Sequence, residues 1–122
     1  MTTSLYARLG GYDAIATFAT QLIGQAQKDD TLGRFWENRS ADRDARDLQI
    51  LIDYLVNQTG GQMYYTGRDM ATAHRGMGIT ETDWARFIEI VGSVAGALGV
   101  GATEGGEVMA FLESLKADIV TA

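Results

Sequence analysis

The sequence predicts an all-α fold, and three observations carry that prediction. Apolar residues recur at intervals of three and four along most of the chain. No stretch shows the strict alternation of a half-buried strand. Glycine alone, at 15 residues with no proline, punctuates the helical runs. The breaks fall at Gly10-Gly11, Gly60-Gly61, Gly76 to Gly78, and across Gly99 to Gly106. At 122 residues the chain fits one domain, 1–122, with room for a single core.

The first helix is expected over about 13–27. Asp13 is a candidate N-cap, and Ile15, Phe18, Leu22 and Ala26 step along one face behind it. Residues 29–36, "DDTLGRFW", read as a short turn and helix that turns Leu32, Phe35 and Trp36 inward. The polar run from Glu37 to Asp47, "ENRSADRDARD", reads as a surface loop. Leu48, Leu51, Ile52 and Leu55, with Tyr54 beside them, form the stripe of a second helix near 46–58, stopped by Gly60-Gly61. Thr80 and Asp83 have the spacing of a capping box, and Trp84, Phe87, Ile88, Val91, Val94, Ala95 and Leu98 continue from it with helical spacing. A last amphipathic helix carries Val108, Met109, Phe111, Leu112, Leu115 and Ile119.

Composition removes several function classes. A formal net charge of −6 and a pI near 4.6 set the long-range field against nucleic acid and anionic lipid, and no basic run is long enough to track phosphates. Without cysteine there are no disulfides, thiolate nucleophiles or cysteine-held metal clusters. The N-terminus lacks the pattern of a signal peptide and no segment approaches about 20 apolar residues, so a cytoplasmic protein with no membrane partner is expected.

One histidine, His74, limits what chemistry remains. A nucleophilic triad would have to use it as base, and no nucleophile-elbow glycine pattern accompanies it. Zinc or copper sites want several imidazoles or thiolates. Haem iron asks for less: four porphyrin nitrogens already fill its plane, and one imidazole completes the protein's share. On position alone, however, a lone histidine flanked by Met70 and Met77 reads as a surface or hydrogen-bonded structural residue before it reads as a ligand.

The segments "SLYARLGGYDAI", "DDTLGRFW", "GGQMYYTGRDMATAHRGMGIT" and "ALGV", in that order, resemble truncated haemoglobins of the first group almost end to end. Most specific is the Tyr65-Thr66-Gly67, Met70, His74 series with Gly78-Ile79-Thr80 behind it. The resemblance implies two helix pairs crossed over each other around haem b. It also implies His74 as proximal iron ligand, Met70 on the haem face, and Ile79 and Trp84 at the porphyrin edge. It extends the haem-contacting set to Phe35, Trp36, Leu51, Tyr54, Leu55, Tyr65, Arg75 and Val91. Arg46, Arg68 and Arg75 are the candidate propionate partners.

Across the haem the chain departs from the family, which commonly sets a tyrosine and a glutamine over the iron. The match places Ile23 and Leu51 there, with Asp47 near the pocket entrance and Trp36 in place of a phenylalanine. Neither Ile23 nor Leu51 donates a hydrogen bond to a ligand that gains negative charge. The distal pocket therefore reads as apolar; the Trp36 indole and the Tyr54 hydroxyl are the donors that could reach in, and core packing with the polar tip at the edge is the favoured reading of both. A shifted second helix would instead turn Gln49 toward the iron. The expected partners are diatomic gases and a reductase, for a monomer or weak dimer that binds oxygen, carbon monoxide or nitric oxide. Oxidation of nitric oxide to nitrate is the enzymatic alternative. A haem-free globin-like domain with a structural or signalling role is the third.

Overall fold

The computed structural model describes residues 3–63, 65 and 67–121. Among them every regular element is helical, as the periodicity predicts. The elements are α1 (Leu5–Leu9), α2 (Gly11–Lys28), a 3-10 turn (Gly33–Trp36), α3 (Ala41–Thr59), α4 (Met70–His74), α5 (Glu81–Ala97) and α6 (Ala102–Ile119).

Helix α1 was not expected, because five residues are too few to display an apolar stripe. Its start is fixed by Ser4, whose Oγ accepts from the Ala7 N–H at 3.1 Å. Its end is Gly10 at φ 111°, a left-handed position that favours glycine. Helix α2 follows at once, so Asp13 is not the N-cap. It lies inside the first turn, where the exposed N–H groups still favour a carboxylate.

Helix α3 is also longer than expected, and the second half of the presumed 37–47 loop belongs to it. Ser40 caps the helix by accepting from the Arg43 N–H, Asp42 and Asp44 occupy the first turn, and Arg43 and Asp47 sit four residues apart. Those two turns project beyond the core, where a helix needs caps and charge order rather than an apolar stripe. At the other end Gly60 takes φ 104°. A Cβ on Gly61 would come within 2.6 Å of Val56 Cγ1 and 2.8 Å of Tyr6, so only glycine lets α1 cross the end of α3.

Helix α2 is the shared wall of the molecule. Ile15 and Ala19, in its first half, pack with Ile52 and Val56 of α3. Leu22 and Ala26, in its second half, join Leu32, Ile90, Val91, Val94 and Leu112, which brings in α5 and α6. The pair α2 and α3 thus lies over the pair α5 and α6. Two ion pairs close the corner after α2 onto α5: Asp29 with Arg86 at 2.6 Å and Arg34 with Asp83 at 2.7 Å. Helix α5 opens with the expected capping box between Thr80 and Asp83.

Candidate functional site

His74 stands at the end of α4, a single turn started by Asp69, whose Oδ1 accepts from the Thr72 N–H at 2.7 Å. Its Nδ1 lies 2.9 Å from the Met70 carbonyl oxygen. A carbonyl can only accept, so Nδ1 carries the ring proton and the lone pair of the neutral imidazole is on Nε2. The sequence could not name this partner, because it is main chain rather than side chain. It orients the ring and fixes its tautomer, which is how a metal-ligating histidine is usually held. Gly76 (φ 79°) and Gly78 (φ 69°) then turn the chain toward buried Ile79.

An aromatic group joins α3, the 61–69 segment and α6. The rings of Tyr54 and Tyr65 meet edge to face at 5.0 Å, and Phe111 lies 6.1 Å from Tyr54. The Tyr65 hydroxyl donates to the Arg68 carbonyl. Burial, as the first cause, pushes the hydroxyls of both tyrosines above their ordinary range, so they stay protonated donors. Phe111 was legible only as a core residue of α6, since core and site positions share the same helical period. Thr66, part of the proximal series, lies outside the described residues.

On the expected distal side, Ile23 is half-buried on α2, and half-buried Leu51 and Leu55 pack with Ile52 and Val56. Gln49 is exposed and committed elsewhere, its Nε2 donating to the Tyr12 hydroxyl and to Asp53 Oδ1, each at 2.9 Å. Asp47 pairs with Arg39 at 2.8 Å on the surface. Phe35 and Trp36 pack against the cluster that contains Val91, and the Arg34 guanidinium covers the Phe35 ring at 4.2 Å.

The structure places the remaining expected contacts as follows. Trp84 is buried, but its indole N–H donates to Glu113 Oε1 at 3.3 Å, bridging α5 to α6. Arg46, Arg68 and Arg75 are exposed and enter no ion pair among the described residues. An apolar cavity of about 570 Å³ lies between α1, α2, the end of α3, α5 and α6. Of the expected site residues only Leu55 and Val91 line it. Its glycine walls include Gly105 and Gly106, which the sequence reading put in a break and the structure puts inside α6.

Among the described residues, no three His, Asp or Glu side chains come together to hold a bare metal ion. The donor set suits instead a metal that brings its own ligands. One imidazole offers Nε2, and large apolar and aromatic side chains stand on the helices around it. These residues fit a haem.

Residues 4–121 match the model of the bacterial-like globin family. The group 1 truncated haemoglobin of Tetrahymena thermophila is 25% identical over 115 residues, covering 94% of this chain and 93% of that one. The ferric crystal structure of the truncated haemoglobin from Tetrahymena pyriformis superposes with a TM-score of 0.88 at 23% identity, covering 98% of this chain and all of that one. The two-over-two haemoglobin of a Synechococcus species, solved in its cyanomet state with covalently attached haem, gives 0.86 at 25% identity, with 97% and 98% covered.

Proposed function

The chain belongs to the bacterial-like globin family, and on that premise we propose that it holds haem b through His74 Nε2 and exchanges diatomic gases on the opposite face. Membership itself implies haem-based gas binding. The observation that supports this assignment of residues is the Met70 carbonyl bond to Nδ1, which leaves Nε2 free to ligate. When bound, haem would supply an iron able to take oxygen, carbon monoxide or nitric oxide.

The chain's own residues then set what happens to the ligand. Met70 and His74 fix the proximal side. Ile23 and Leu51 present no donor, so a ligand that gains charge loses a hydrogen bond commonly worth about 1.5–3 kcal/mol, a ten- to hundredfold difference in retention. Carbon monoxide, which gains less charge, is less affected. An apolar distal wall favours gas exchange over nitric oxide oxidation, which needs a long-lived oxygenated form.

The haem is proposed to be noncovalent. The one histidine is committed to iron and no cysteine is present, so the usual side chains that add to porphyrin vinyl groups are lacking. Protein loaded with haemin is expected to show a Soret band that shifts on reduction and on adding carbon monoxide, and to release its haem into acidified acetone. A His74→Ala variant with the same ferrous spectrum as wild type would refute the assignment. Haem retained by the protein in acetone would refute noncovalent binding alone.

A further inference from the structure

We propose that Asp83 is a positioning residue for the gas pocket, holding the Phe35–Trp36 segment and the loop after His74 in one register through Arg34 and Thr80. The proposal rests on the haem reading, which puts Phe35 and Trp36 on the ligand side and His74 on the iron.

Asp83 is the buried charged side chain of the core, 2% exposed. Such a group is tolerated only when it is paired and hydrogen-bonded. Its Oδ2 receives two donors from different parts of the chain. One is Arg34 Nη2 at 2.7 Å, from the 3-10 turn. The other is the Thr80 backbone N–H at 2.9 Å, where the loop 75–80 ends. A capping box requires the second contact and not the first.

Arg34 carries the connection onward. Its guanidinium lies 4.2 Å over the Phe35 ring while another of its nitrogens donates to the Thr31 carbonyl. The path from Thr80 through Asp83 and Arg34 therefore ends on an aromatic wall residue. On the histidine side, no neighbouring atom lies within 4 Å of where a Cβ would sit on Gly76 or Gly78, so the chain is open around these two positions. The anchor at its far end fixes the loop. There Thr80 is bound to Asp83, and the Ile79 carbonyl accepts from the Thr121 N–H at 3.2 Å.

The second ion pair makes the register selective. Helix α5 presents acid then base, Asp83 and Arg86. The corner presents acid then base as well, Asp29 and Arg34, and the pairs form crosswise. Sliding the corner along α5 leaves carboxylate against carboxylate or guanidinium against guanidinium, which the arrangement penalises.

The test compares wild type with Asp83→Asn and Arg34→Met, each loaded with haem, reduced and exposed to carbon monoxide. Glu107→Gln, which breaks the exposed Arg8–Glu107 pair, serves as control for a lost surface ion pair. Both variants are expected to change the carbon monoxide recombination rate by about threefold or more and to shift or split the bound C–O stretch, with the control unchanged. The iron–histidine stretch in resonance Raman should move in Asp83→Asn. Arg34→Lys, which leaves Asp83 a charged partner but removes the planar guanidinium from the Phe35 ring, decides the distal claim if the other two variants do not fold. Wild-type rates and bands in variants whose unfolding midpoint has dropped would show a structural role only and overturn the proposal. A wild type that takes up no haem would overturn the haem reading, and this proposal with it.

Discussion

A neutral imidazole has one proton to place, and at His74 the Met70 carbonyl, accepting a hydrogen bond, keeps it on Nδ1. That single bond leaves the Nε2 lone pair free, which the proposed role as iron ligand requires. Carboxylates define the other residue-scale effects. The Arg34 bond holds the Asp83 carboxyl below the usual carboxylate range, and the Arg86 bond does the same for Asp29. A group depressed in the folded state adds stability that is present above its unfolded value near 4 and lost as pH falls through the folded value. Thermal midpoints are thus expected to stay level from pH 7 to about 5 and to drop below about 4. An Asp29→Asn/Asp83→Asn double variant should fall less steeply over that lower range, and an unchanged slope would sink the assignment. His74 was legible in the sequence because it is the only imidazole. Its partner was not, because a backbone carbonyl has no residue identity, and Phe111 was hidden by sharing the period of the core.

At the scale of elements, the helices read best from sequence were those with a complete apolar stripe between clear caps. Helix α5 is the example, from its Thr80–Asp83 box onward. The two outer turns of α3 escaped because Asp42, Arg43, Asp44 and Asp47 carry no apolar period, and α1 escaped through brevity. Glycine misled in α6, where it was taken for a break. Gly106 has an ordinary helical backbone and open space where a Cβ would stand. Gly106→Ala is therefore expected to stabilise by about 0.5–1 kcal/mol, a few degrees in midpoint. Gly61→Ala should do the opposite by a larger margin, since its Cβ would strike Val56 and Tyr6. Calorimetry on the pair checks both signs, and a stabilised Gly61→Ala would contradict the packing at the crossing of α1 and α3.

For the whole molecule, haem counts as a ligand of the folded state, and its binding shifts unfolding by mass action. Free haem at a thousand times its dissociation constant should add about 4 kcal/mol to stability. The unfolding midpoint should rise with haemin in wild type and rise less in His74→Ala; equal shifts would mean that the iron ligand lies elsewhere. Stripes and caps made the helices legible, whereas their arrangement as two crossed pairs, with α2 shared between both core clusters, came from the resemblance to truncated haemoglobins. Such a scaffold superposes on a relative at a TM-score of 0.88 with only 23% of residues in common. The bond from His74 to a main-chain oxygen bears on that divergence. Position 70 can carry many side chains and still offer the same carbonyl, so the course of the backbone alone, whatever residue stands there, decides which nitrogen of the His74 ring keeps the proton.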